Sequence, residues 1–185
     1  MTYYKKNNRL LMKNLRELAP ELFKSFSQFH GQVFRQGALS KKEKEIIAVA
    51  IAHVTECPYC IDVHTKKAKL LGATITELIE AVFVVSTIQA SGVLQRMNDE
   101  KGKDISKFHE DTMKDGVLSQ YLKELIAVAV SHAIQCKENI EIHTKKALEL
   151  GISSEQIDEA ILVTAALKAG SSYAHMINLI ESYNE

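Results

Sequence analysis

EKEIIAVAIAHVTECPYCIDVHTKKAKLLG, residues 43–72, matches LKELIAVAVSHAIQCKENIEIHTKKALELG, residues 122–151, at an offset of 79. Extended outward without a gap, Ser27 to Gly92 aligns with Ser106 to Ser171, and about 26 of 66 positions are identical. The chain is therefore built from two copies of one unit. Phe29-His30 pairs with Phe108-His109, Glu45 with Glu124, Cys57 with Cys136 and His64 with His143. The polar stretch Asn98 to Asp104 reads as the linker, and Met1 to Ala19 precedes the repeat as an N-terminal arm.

The unit reads as helical. Cys60, His64, Ala68 and Leu71 recur at helical spacing, while Lys66, Lys67 and Lys69 fall off that stripe. Ser40-x-x-Glu43, Thr74-x-x-Glu77 and Ser153-x-x-Gln156 have capping-box spacing before apolar runs. Gly72 and Gly151 stand where helices should end, because a left-handed C-terminal cap favours glycine. No alternating run supports a sheet. The expected fold is all-α, with about four helices per repeat plus the N-terminal helical arm. Residues 1–185 form one domain, with the CxxC-bearing repeat over about 20–97 and a degenerate copy over about 99–175.

With 185 residues, 46% apolar and 25% charged, the chain has globular composition and is long enough to bury a core. Its 23 basic and 23 acidic residues cancel without long runs of either sign, which disfavours nucleic acid and anionic membrane surfaces as partners. The N-terminus lacks an apolar run of signal-peptide length, and Ile46 to Val54 is too short to span a bilayer, so cytoplasm is the expected compartment. Ala81 to Ile88 and Ala160 to Ala169 are apolar or small nearly all round, which points to a homo-oligomer.

Three cysteines are too few, and odd in number, for a disulfide framework; Cys57-Pro58-Tyr59-Cys60 reads instead as redox chemistry or metal. Pro58 suits the first turn of a helix, which puts Cys57 at the cap and Cys60 in the first turn, where backbone N–H groups and the helix dipole favour a thiolate. His64 follows one turn later on the same face and can relay the thiol proton. Glu45, on the preceding helix, could return to orient that imidazole. Zinc would have two thiolates and one imidazole and no second CxxC to complete a tetrahedral site, so no metal is expected. Two inert buried cysteines are the bland alternative. A Glu–His pair that merely ties two helices is another, since Glu124 and His143 persist where Asn139 replaces Cys60. His30 and His109 read as packing residues, as do His53 and His132; Lys66-Lys67 and Lys145-Lys146 read as solvated faces, and Cys136 as a core relic.

Glu45, eleven intervening residues, Cys57-x-x-Cys60, three more and His64 together resemble the motif of alkylhydroperoxidase D-like proteins of the carboxymuconolactone decarboxylase superfamily. The resemblance covers about Pro20 to Tyr173. It implies a helical fold assembled as trimers or hexamers, and a peroxidase or disulfide reductase run by the cysteine pair. On that resemblance Cys60 is the peroxidatic thiol, Cys57 the resolving thiol, and Glu45 with His64 the proton relay. The substrate would be a hydroperoxide and the reductant an external dithiol or thiol protein. The alkylhydroperoxidase itself has a further histidine inside its CxxC, where this chain has Tyr59. No flavin or nicotinamide fingerprint occurs, so no cofactor is expected. Two other functions are consistent with the same sequence: a lactone-acid decarboxylase that needs no thiols, and a non-catalytic assembly whose packing responds to the Cys57–Cys60 redox state.

Overall fold

The computed structural model describes Lys13, residues 15–94 and residues 103–185. Eight helices have both ends described, and no strand occurs among the described residues. The first repeat supplies α1 (Pro20–Val33), α2 (Lys41–Val54), α3 (Pro58–Leu70) and α4 (Ile75–Leu94); the second supplies α5 (Lys103–Met113), α6 (Gln120–Ile134), α7 (Lys137–Glu149) and α8 (Ser154–Asn184). Of the expected N-terminal arm, only Lys13 and residues 15–19 are described, with 15–18 helical. The expected linker lies outside the described residues except for Lys103 and Asp104, which already belong to α5.

The helix starts follow from their caps. Ser40 Oγ accepts the Glu43 N–H at 3.2 Å while the Ser40 N–H donates to Glu43 at 2.8 Å. Thr74 and Glu77 make the same reciprocal pair at 2.7 and 3.2 Å, and so do Ser153 and Gln156 at 3.0 and 3.3 Å. Gly72 and Gly151 hold φ of 85° and 78°, the left-handed backbone that ends α3 and α7.

Helices α2 and α6 pack against each other at the centre, with α3, α4 and α8 around α2 and α4, α7 and α8 around α6. Consequently every residue from Lys44 to Ala52 is buried, as is every residue from Leu122 to Ser131. The sequence Ile46-Ile47-Ala48-Val49-Ala50-Ile51-Ala52 is apolar all round, as a helix enclosed on all sides must be.

The repeats are also fastened across their boundary. Buried Lys44 donates to the carbonyls of Val33 at 3.0 Å and Arg35 at 2.6 Å and pairs with Glu159 of α8 at 3.1 Å, which uses all three ammonium protons. Glu159 in turn accepts the N–H groups of Ala38 and Leu39 at 3.1 and 2.8 Å, at the entrance to α2. The second copy repeats this arrangement in reverse. Lys123 donates to the Lys114 carbonyl at 2.6 Å and pairs at 3.0 Å with Glu80 of α4, which accepts from Val117 and Leu118 at 2.9 and 3.0 Å. At Gly37 and Gly116 the clamping carboxylates approach so closely that a Cβ would collide with them.

Helix α4 is the one described helix long and apolar enough to cross a bilayer, although no such segment is expected from the sequence. Leu78, Ala81, Val84, Val85 and Ile88 nevertheless bury one face in the core, whereas Ile75, Ile79 and Phe83 remain exposed on another.

Candidate active site

The turn between α2 and α3 fixes the cysteine pair. Helix α2 ends at Val54 with Thr55 as its cap, and Glu56 then takes φ of 50°, a left-handed conformation rare for a residue with a Cβ. This reversal lets the Cys57 N–H bond the Ala52 carbonyl at 3.2 Å and delivers Cys57 as the N-cap of α3, followed by Pro58 at the first position. Cys57 Sγ accepts the Cys60 N–H at 3.2 Å, and the two sulfurs are joined in a disulfide with 5.3 Å between Cα atoms. Cys57 is fully buried; Cys60 is 4% exposed and lines a cavity.

His64 follows Cys60 by one turn of α3 and reaches back to α2. Its Nδ1 lies 2.6 Å from Glu45 Oε2 in a pair that is almost completely buried. A carboxylate only accepts, so Nδ1 carries the proton of this bond, and in the neutral ring Nε2 is left as the acceptor. The other carboxylate oxygen of Glu45 is 3.8 Å from Lys67 Nζ. The structure thus brings together Glu45, Cys57, Cys60 and His64, all four candidates from the motif.

It adds residues that the sequence reading assigned elsewhere. Phe34 stacks on His64 with 5.2 Å between ring centroids, and His30 lies 4.7 Å from Phe34 and 5.8 Å from His64. His30 therefore faces the candidate site as well as packing α1. Burial first, then the charges of Lys67 and His64, lower its pKa from 6.5 to about 4, so it is neutral at physiological pH. Lys67, expected on a solvated face, lines the cavity with its ammonium 5.5 Å from the Phe34 ring centroid. Phe23 and Phe26 of α1 meet Tyr173 of α8 at 5.7 and 5.2 Å and, with Tyr59, form aromatic walls. The cavity, open to solvent on one side, has a volume of about 250 Å³. His53 sits elsewhere: its Nδ1 donates to the Val49 carbonyl at 2.8 Å and its ring borders a separate apolar groove with Ile79 and Phe83.

The second copy keeps the scaffold and loses the reactive pair. Glu124 and His143 form the equivalent buried bond, and His109 lies 5.6 Å from His143. Where Cys60 would be, Asn139 donates to the Ile88 carbonyl at 3.3 Å and to Ser91 Oγ at 3.2 Å. Ser91 is the counterpart of Gly170 and Thr87 that of Ala166, so α4 carries bulkier residues at the positions where α8, facing Cys60, carries small ones. Tyr59 likewise becomes Glu138. This divergence between copies is the signal by which the sequence could have revealed the cavity. Among the described residues no group of three or more His, Cys, Asp or Glu side chains is placed to hold a metal ion.

Comparison with known proteins gives three findings. A family model described as the carboxymuconolactone decarboxylase family matches residues 20–97 and 102–182. A curated relative from Paracoccus denitrificans, named uncharacterized protein 4 in cox locus, is 46% identical over 66 residues, which are 36% of this chain and 60% of that protein. The match therefore spans less than two thirds of that relative. A crystal structure from Burkholderia xenovorans LB400, described as a proposed gamma-carboxymuconolactone decarboxylase subunit, superposes with a TM-score of 0.77 at 20% identity, covering 92% of this chain and 89% of that one. At that identity the likeness concerns the fold alone.

Proposed function

The chain belongs to the carboxymuconolactone decarboxylase family, and from that premise we propose that it is a thiol-dependent peroxidase and disulfide oxidoreductase of the alkylhydroperoxidase D-like type. The observation that carries the reading is the asymmetry of the cysteine pair: Cys60 opens on a cavity beside the Glu45–His64 pair, while Cys57 is sealed behind it.

In the reduced protein the Cys60 thiolate attacks the terminal oxygen of a hydroperoxide. An S–O bond forms as the O–O bond breaks, and the departing alkoxide takes a proton relayed through His64 and leaves as the alcohol. Cys57 sulfur then attacks the Cys60 sulfenic acid. The S–S bond forms, the S–O bond breaks, and hydroxide leaves as water with the proton that Cys57 gives up. Two thiols are oxidised and the peroxide is reduced by two electrons. An external dithiol resets the pair by attacking Cys60, the reachable sulfur, and expelling the Cys57 thiolate, which the Cys60 N–H and the start of α3 stabilise. Its second thiol then attacks the mixed disulfide, releasing Cys60 and leaving the donor as a disulfide. A cytoplasmic location and a homo-oligomer belong to the same proposal; the exposed apolar residues Ile75, Ile79 and Phe83 on α4 support assembly.

The test is the intact mass of the pre-reduced protein after about one equivalent of an organic hydroperoxide, since one turnover oxidises two thiols. Loss of two hydrogens with the Cys136 thiol retained is expected, and Cys60→Ser should abolish it. Thiols that persist for hours would overturn the reading. One observation favours a second reading: the Glu–His bond also occurs in the copy without a cysteine pair, as acid–base decarboxylation without thiols would allow. That activity would survive replacement of both Cys57 and Cys60.

A further inference from the structure

The cavity over Cys60 has a one-sided charge. Among the described residues, the side chains that line it include two basic ones, Arg16 and Lys67, and no Asp or Glu. Glu45, beneath the lining, is already engaged, with one oxygen on His64 and the other near Lys67. Glu17, beside Arg16 in sequence, pairs with Lys13 at 3.8 Å. His30 is held neutral chiefly by burial, with the charges of Lys67 and His64 adding to the effect, so it contributes no charge of its own to the cavity.

Most of the remaining wall is apolar or aromatic, and the cavity is small. Arg16 lies 4.7 Å from the Phe23 ring centroid, so one cation is set against the aromatic end of the cavity, while Lys67 stands on α3 near Phe34. The volume of about 250 Å³ is below the roughly 300–1,000 Å³ common for drug-sized ligands. It matches a body of about one substituted ring. The degenerate copy retains a lysine, Lys146, at the Lys67 position but has Glu138 for Tyr59, and the helix facing its Asn139 carries Ser91 where the helix facing Cys60 carries Gly170. The aromatic wall and the open volume thus accompany the cysteine pair.

We propose that the cavity selects hydroperoxides in which a compact apolar body carries a carboxylate, with Arg16 and Lys67 holding the anion and the aromatic walls holding the body. The proposal rests on the peroxidase reading above and names the substrate class of that site. The covalent step is unchanged: the hydroperoxide is reduced to its alcohol as Cys57 and Cys60 are oxidised, so a single turnover of the reduced protein needs no added reductant.

A matched pair of substrates tests it: cumene hydroperoxide and its para-carboxylate, which share the same O–O bond and differ in the anion. The readout is the rate of two-hydrogen loss from the pre-reduced full-length protein at equal subsaturating concentrations. The carboxylate should react about tenfold faster, the scale of one charge-assisted hydrogen bond, and added salt should shrink the preference. In Lys67→Met and Arg16→Met the ratio should fall towards one. Because the readout is a ratio within one preparation, a partly folded variant does not distort it. Equal rates in the unaltered protein, or a preference that persists in both variants, would overturn the substrate class while leaving the peroxidase reading standing. Failure of both hydroperoxides to oxidise the thiols would overturn the two together.

Discussion

Thr87 buries its hydroxyl completely and is the one buried side-chain polar group without a hydrogen-bond partner among the described residues. Such a group costs about 1–3 kcal/mol. Thr87→Val keeps the shape and removes the orphan, so thermal unfolding should rise by up to a few degrees; a fall would show that the hydroxyl has a partner in solution. His30 makes a second prediction at this scale. Its pKa is 6.5 when unperturbed and about 4 in the folded protein, so between those values the unfolded chain binds a proton that the folded chain does not. Stability should therefore be level in this respect above pH 6.5 and decline as pH falls towards 4. His30→Phe should flatten that decline in urea-midpoint measurements across the interval. These side chains also mark how far the sequence was legible. Glu45, Cys57, Cys60 and His64 were readable because caps and helical spacing set their positions locally. The roles of His30 and Lys67 were not, because they depend on how α1 and α3 lie against each other.

At the scale of helices and their connections, the buried lysines have the largest consequences. Lys44 satisfies two carbonyls and Glu159 with its single ammonium. Lys44→Met should destabilise the protein by about 2–3 kcal/mol, because it strips two carbonyls of their charged donor and leaves the partly exposed Glu159 without its cation, read by denaturant unfolding. Lys123→Met should behave alike, and a much smaller loss in both would mean that water reaches these sites. Burial raises the pKa of Glu159, but hydrogen bonds from Leu39, Lys44 and Ala38 outweigh it and hold the carboxyl below its usual 4.5. Glu80 is held low in the same way, against burial, by Val117, Leu118 and Lys123. Their stabilisation is present above pH 4.5 and is lost as pH drops through the lowered folded values. The helix starts were legible from Ser40, Thr74 and Ser153, whose partners stand three residues on. The lysine clamps were not, because Lys44 and Glu159 look like ordinary surface charges until the fold brings positions 115 residues apart together.

For the whole molecule, the repeat was plain in the sequence, whereas the reason for keeping both halves lies in the packing. Each half contributes to the other: Glu80 secures the entrance to α6, Glu159 secures the entrance to α2, and Tyr173 of the second half completes the aromatic wall over Cys60 of the first. A chain cut between residues 94 and 103 should accordingly behave as a split protein. Neither fragment should be folded alone, because each would expose α2 or α6, helices that are apolar on every side. Mixed in equal amounts they should complement one another, recovering the helical circular dichroism and cooperative melting of the intact chain. Independent folding of either fragment would mean that the two copies are autonomous. The Glu80 and Glu159 clamps, inserted in opposite directions, thereby make a duplicated unit into an obligate pair in which loss of the cysteine pair from one copy, where Asn139 stands for Cys60, need not cost the fold.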